Sequence, residues 1–89
     1  MTDRSVTDLT IIIPVLDEEA SIPELVDRIR SVCDDAGFSF NVWLIDDGST
    51  DDSWDVIEAM HELDPRFAGL KLRRNYGKSA AMALGFKRA

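Results

Sequence analysis

A chain of 89 residues is one small domain at most, and such a chain buries only roughly two-thirds of the surface that its unfolded form exposes. A hydrophobic fraction of 45% beside 30% charged residues is that of an ordinary soluble globular protein and excludes disorder and coiled coil as readings. The net charge of -7 divides unevenly: all 17 acidic residues fall between Asp3 and Asp64, while Arg66, Lys71, Arg73, Arg74, Lys78, Lys87 and Arg88 form a basic segment without a single acid.

Met1 to Asp8 is polar and expected to fray. It lacks the basic flank of a signal peptide, and the apolar run that follows is far too short for a bilayer, so a cytoplasmic location is expected. Leu9-Thr10-Ile11-Ile12-Ile13-Pro14-Val15 is apolar on consecutive positions, the mark of a parallel strand buried on both faces. Pro14 cannot donate to a ladder, so the strand should end about there. An acidic loop, Leu16 to Ala20, comes next.

Ser21-Ile22-Pro23-Glu24 has the form of a capping box. The helix it predicts carries Ile22, Leu25, Val26, Ile29, Val32 and Cys33 on one face, with Gly37 placed to close it in a left-handed cap. The lone Cys33 reads as a small core residue, since one cysteine makes neither an internal disulfide nor a cysteine-rich metal site. Phe40 to Ile45 is a second strand of β-branched and aromatic residues. It ends abruptly in Asp46-Asp47-Gly48-Ser49-Thr50.

A second helix is predicted from about Asp51 to Leu63, with Trp54, Ile57 and Met60 inward and Pro65 beyond its end. His61 stands alone on it and reads as a surface or boundary residue. Phe67 to Leu72 is a third strand, Arg73 to Gly77 its exit loop, and Lys78 to Ala89 a third helix without a stop signal.

The pattern βαβαβα implies an α/β fold with a parallel three-stranded sheet in the order 3-2-1 and right-handed crossovers. Consecutive crossovers put the first two helices on one face, leaving the third to cover the other on its way to a further strand beside the first. The expectation is therefore an amino-terminal portion of a larger domain that ends within the third helix. Three loops converge at the carboxyl edge, where such sheets hold ligands. Two of them are acidic (Pro14 to Glu19, Asp46 to Thr50) and one is basic (Arg73 to Lys78). Carboxylates accept from sugar hydroxyls and base N–H groups while Arg and Lys neutralise phosphate, so a nucleotide or nucleotide sugar would use all three. The plain alternatives are that Asp46 and Asp47 only cap the turn and helix, that Glu18 is a solvated loop acid, and that the basic charges are a solvated face.

Sharper motifs fail. Gly77-Lys78-Ser79 resembles the end of a phosphate loop, but Leu72 occupies the place of its first glycine. Gly48 falls third, not sixth, in a would-be calcium loop. No Gly-x-Gly-x-x-Gly follows the first strand, and the acidic pair follows the second strand, without the later strands that a phosphoacceptor signalling site needs.

Three segments, Ile11-Ile12-Ile13-Pro14-Val15-Leu16-Asp17-Glu18-Glu19, Leu44-Ile45-Asp46-Asp47-Gly48-Ser49-Thr50-Asp51 and Leu72-Arg73-Arg74-Asn75-Tyr76-Gly77-Lys78-Ser79-Ala80-Ala81, together resemble the amino-terminal part of family-2 glycosyltransferases of the GT-A fold, a Rossmann-like architecture. The third segment is most similar to the branch that moves a sugar from a nucleotide onto a polyprenyl phosphate. The resemblance implies a donor-nucleotide half-site over residues 9–89: Pro14, Leu16 and Glu18 line the nucleoside, Ile45 contributes to its pocket, Asp46 shapes the site, Asp47 bonds the base, and Arg74 and Lys78 lie near the base or diphosphate. Leu16 stands where the family often has an aromatic and Asp17 where Asn is usual.

The family's Asp-x-Asp metal site and its catalytic base come later than these segments, so no catalytic or metal-binding residue is assigned to this chain. Mg or Mn is expected for a complete enzyme and none for this chain alone, which should bind nucleotide weakly and transfer nothing. The expected partners are a UDP- or GDP-sugar and, for a full-length parent at the cytoplasmic face of the membrane, a polyprenyl phosphate; no nucleic acid is expected. A stand-alone nucleotide-binding or interaction module without turnover is the rival from another class, and an anionic-surface binder using the basic segment is a third.

Overall fold

A computed structural model describes residues 8–88; the expectation for Met1 to Thr7 and for Ala89 lies outside these. The element order is β1 (Leu9–Val15), α1 (Ile22–Ala36), β2 (Phe40–Asp46), α2 (Ser53–Leu63), β3 (Phe67–Lys71) and α3 (Lys78–Arg88). Asp8 and Ser39 fasten the start of β1 by two hydrogen bonds, each backbone N–H donating 2.9 Å to the other's side chain.

The sheet is wholly parallel with β2 between β1 and β3. Register aligns the carboxyl ends: Val15 lies beside Asp46, and Asp46 beside Lys71. The ladder continues past the strands, where Asp47 N–H donates to Val15 O at 2.8 Å and Leu72 N–H to Asp46 O at 2.9 Å. The loops after all three strands therefore leave the sheet side by side.

Alternation along the strands divides the apolar residues between two cores. Phe40, Val42 and Leu44 of β2 join Val15, Phe67 and the inner faces of α1 and α2 (Ile22, Val26, Cys33, Ile57). Ile45 points the other way, with Leu72, Ala81 and the partly buried Ile12, Trp43 and Leu70. The first two helices thus share one face and α3 crosses the other, as the crossover rule requires. Gly85 lets α3 lie close on the sheet: a Cβ built there would stand 2.7 Å from Ile12 Cγ2 and 3.0 Å from Ile45 Cγ1.

Gly37 ends α1 at φ 75°, the left-handed cap that its sequence position predicts. Two side-chain expectations are corrected. The Ser21–Glu24 capping box does not form: Ser21 makes no side-chain cap, and its hydroxyl turns back to Glu18, donating to the carbonyl at 3.2 Å and the carboxylate at 3.3 Å. Val32 is not inward but 66% exposed. It flanks an apolar groove with Leu9, Ile11, Ile29 and Cys33 along the edge of β1 that has no neighbouring strand among the described residues. Helical spacing put Val32 on the apolar face, but there is no strand beyond β1 for that side of the face to rest on. Among the described residues, no helix is long and apolar enough to cross a membrane.

Candidate functional site

The register that aligns Val15, Asp46 and Lys71 gathers three loops at one edge, and the contacts between them show how firmly. Asp46 and Asp47 are 0% and 3% exposed, a costly place for carboxylates unless their oxygens are satisfied. Successive residues of a strand face opposite ways, so the two acids serve different neighbours. Asp46 Oδ1 accepts from Ser49 N–H at 2.9 Å and closes the turn. Its Oδ2 is buried and has no protein partner.

Asp47 reaches instead to the β3–α3 loop. Its Oδ1 accepts from Tyr76 N–H at 2.8 Å and its Oδ2 from Gly77 N–H at 3.0 Å. Gly48, at φ +80°, lets the turn lie flat on that same loop: a Cβ there would meet Arg74 C and Asn75 N at 2.5 Å. Asp46 therefore does the turn-building work that the plain alternative assigns to it, whereas Asp47 binds the acidic edge to the basic loop.

That loop carries Arg74 and Lys78, both exposed. The Arg74 guanidinium rests 5.1 Å from the Tyr76 ring centroid, a cation–π contact that holds it near the loop surface. Lys78 is the first residue of α3, where the helix dipole adds positive potential. Arg66, from the same basic segment, is committed elsewhere. It pairs with Asp64 at 2.8 Å and Asp34 at 2.9 Å and lies 4.2 Å over the Phe40 ring. Hydrogen bonds from Arg66, opposed by partial burial, hold the Asp64 carboxyl below its ordinary value of 3.8.

Of the remaining residues singled out from sequence, Pro14 is half-buried, and Leu16 (41% exposed) and Glu18 lie on the open β1–α1 loop. Ile45 is 0% exposed and sits beneath α3, packed with Leu72 and Ala81. The structure thus joins Asp46, Asp47, Arg74 and Lys78 through direct contacts of their loops, and brings Leu16 and Glu18 alongside through Asp17 and Ser53.

Those last two are the residues that sequence reasoning missed. Asp17 Oδ1 accepts from Thr50 N–H at 2.7 Å and Asp51 N–H at 3.2 Å. Buried Ser53 accepts from Glu18 N–H at 2.9 Å and donates to Asp51 at 2.6 Å, and that bond holds the half-buried Asp51 carboxyl below its ordinary value. The available signal was the surplus of cap-forming residues, Ser49 to Ser53, before a single helix. His61 is exposed, and its Nδ1 donates to Phe67 O at 2.6 Å, the boundary role expected of it.

Whether these acids can hold a metal is decided by their geometry. Asp46 and Asp47 leave the end of β2 on opposite sides. Among the described residues no three His, Cys, Asp or Glu side chains come together in a way that would hold an ion.

A sequence model described as glycosyl transferase family 2 matches residues 10–89. Among curated proteins, an undecaprenyl-phosphate 4-deoxy-4-formamido-L-arabinose transferase from Pseudomonas syringae pv. syringae is 41% identical over 80 residues, covering 89% of this chain and 24% of the relative. A protein of the same description from Shewanella sediminis is 42% identical over 86 residues, covering 96% of this chain and 26% of the relative. The chain thus spans about a quarter of the length of the relatives it matches. Among solved structures, a mannosyltransferase from Pyrobaculum calidifontis, in complex with GDP-Man and Mn2+, superposes with a TM-score of 0.72 over 93% of this chain and 24% of its own, at 23% identity. At that identity the likeness speaks for the fold, a GT-A fold of which three parallel strands and their helices are present here.

Proposed function

The chain belongs to glycosyl transferase family 2, and from that premise we propose that its carboxyl-edge loops form the donor-nucleotide half-site of a glycosyltransferase. The observation that carries the reading is the Asp47 clamp, which ties the acidic end of β2 to the loop bearing Arg74 and Lys78. One edge thereby offers hydrogen-bond acceptors to a base and ribose, and cations to a diphosphate.

In this reading Pro14, Leu16 and Glu18 line the nucleoside and Ile45 is the floor of its pocket. Asp46, 0% exposed, shapes the site by holding the turn through Ser49. Asp47 has each oxygen engaged by one amide, and since a carboxylate oxygen carries two lone pairs it still accepts from a base N–H. Arg74 and Lys78 take the diphosphate beside the positive end of α3.

The donor is a UDP- or GDP-sugar, and for the whole protein the acceptor is a polyprenyl phosphate, the class named in the descriptions of the relatives. A divalent metal, present in the Pyrobaculum calidifontis mannosyltransferase complex, would offset charge on a leaving diphosphate. The described residues do not fit such an ion, so no step here runs through one, and this chain contributes binding and orientation to the reaction.

Calorimetric titration with UDP, GDP and their sugars, with and without manganese, tests the reading. Expected is a Kd of about 0.1–1 mM for one of the two nucleotides, since an open half-site yields roughly 4–5.5 kcal/mol. A double Arg74→Ala, Lys78→Ala variant should weaken it by about tenfold. Absence of binding by either nucleotide, or binding indifferent to the double variant, contradicts the proposal.

A further inference from the structure

Asp17 is the one non-glycine residue with positive φ (51°) among the described residues. An aspartate tolerates this left-handed conformation better than most side chains, but it still costs free energy and persists only where the surroundings hold it. What holds it here is a set of contacts with one turn of another loop. Its Oδ1 accepts from Thr50 N–H at 2.7 Å, Asp51 N–H at 3.2 Å and the Thr50 hydroxyl at 3.3 Å. Its own N–H donates to Ser49 Oγ at 2.9 Å.

The two residues that follow repeat the pattern, Glu18 N–H donating to Ser53 Oγ at 2.9 Å and Glu19 N–H to Asp51 Oδ2 at 3.3 Å. The N-cap of α2, Asp52, makes no side-chain cap. Asp17 therefore supplies from β1–α1 the acceptor for the approach to α2, fastening residues 17–19 to residues 49–53.

We propose that Asp17 is a positioning residue for nucleotide binding. It fixes the distance between the two walls of the nucleoside pocket, Leu16 and Glu18 on one side and Asp46 and Asp47 on the other, without touching the ligand. The proposal rests on the donor half-site reading. Its requirement is a short side chain that accepts at the first oxygen and adopts positive φ, not a negative charge. Asn meets that requirement; Ala has no acceptor, and Glu sets its carboxylate one methylene too far.

The test measures amide hydrogen exchange by NMR, together with UDP and GDP affinity by calorimetry, in the unmodified chain, Asp17→Ala and Asp17→Asn, well below each one's unfolding temperature. In Asp17→Ala the Thr50 and Asp51 amides should lose protection while Leu44 and Ile45 keep theirs, and nucleotide affinity should fall about tenfold through lost preorganisation. Asp17→Asn should retain both protection and affinity, within about threefold of the unmodified chain. Unchanged protection in Asp17→Ala, or lost protection with unchanged affinity, overturns the proposal. If Asp17→Ala does not fold, the Asn variant decides alone, and loss of protection or of affinity in it overturns the proposal equally. Should the unmodified chain bind neither nucleotide, the donor reading fails, and with it Asp17's role in binding, while the exchange comparison still decides whether Asp17 holds the two loops together.

Discussion

Replacing Gly48 by Ala strikes the contact on which the edge is built. Two costs add. At φ +80° any side chain pays roughly 1 kcal/mol for the left-handed conformation. The new methyl would also stand 2.5 Å from Arg74 C and Asn75 N and 3.0 Å from Arg74 Cα, all backbone atoms that cannot rotate aside. Overpacking of this kind costs about 1–3 kcal/mol, for a total of about 2–4 kcal/mol. In a domain of this size each kcal/mol lowers Tm by roughly 4–8 °C, so a fall on the order of 10–25 °C is expected in a thermal melt followed by circular dichroism. Gly37→Ala is the matched control, since Gly37 has nearly the same φ (+75°) and nothing within 4 Å of its Cβ. It should lose only the conformational share, about 1 kcal/mol. Equal losses for the two variants would refute the claim that the turn after β2 rests on the β3–α3 loop.

Asp47→Ala leaves the Tyr76 and Gly77 amides without their acceptor, and should cost about 2–3 kcal/mol in chemical denaturation while speeding exchange at those two amides; nucleotide affinity lost with no change in either would mean that Asp47 does not clamp the loop. Gly85→Leu should destabilise by about 1–3 kcal/mol and shift the NMR signals of Ile12 and Ile45, the side chains that its Cβ would press; a neutral result would place α3 off the sheet. Asp64 is held below 3.8 by Arg66 and Asp51 by Ser53. A depressed folded value stabilises at pH above the unfolded value and is lost as pH falls through the lower folded one. Melts from about pH 5 to about pH 2.5 should therefore show the gap between the unmodified chain and Asp64→Asn closing below 3.8, whereas a gap that widens toward acid would contradict the Asp64–Arg66 pairing.

Much of this architecture was legible in the residues because period and punctuation agreed. Consecutive apolar residues at Ile11 to Ile13 and Val42 to Ile45 marked strands buried on both faces, Gly37 marked a left-handed stop, and the crossover rule placed α3 opposite the other two helices. The errors come from contacts, made or missing, that spacing along the chain does not encode. The Ser21–Glu24 spacing suggested a local cap, yet the Ser21 hydroxyl bonds Glu18. The second helix starts at Ser53 rather than Asp51 because residues 49–51 are held by Asp46 and Asp17. Val32 followed the helical period onto a face whose outer side has no strand to meet. The acid pair was visible as chemistry, but that Asp47 spends one bond from each oxygen on Tyr76 and Gly77 is a property of the sheet register, which local pattern does not encode.

The most direct test of the nucleotide edge is a map of amide shifts in the 15N-labelled chain as UDP and then GDP are added to millimolar concentration. The perturbed signals should fall on Leu16 to Glu18, Asp46 to Gly48 and Arg74 to Lys78, three segments distant in sequence and adjacent at the ends of the strands. Shifts confined instead to the groove at the open edge of β3, lined by Trp43, Trp54, His61 and Leu70, or no shifts with either nucleotide, would contradict it.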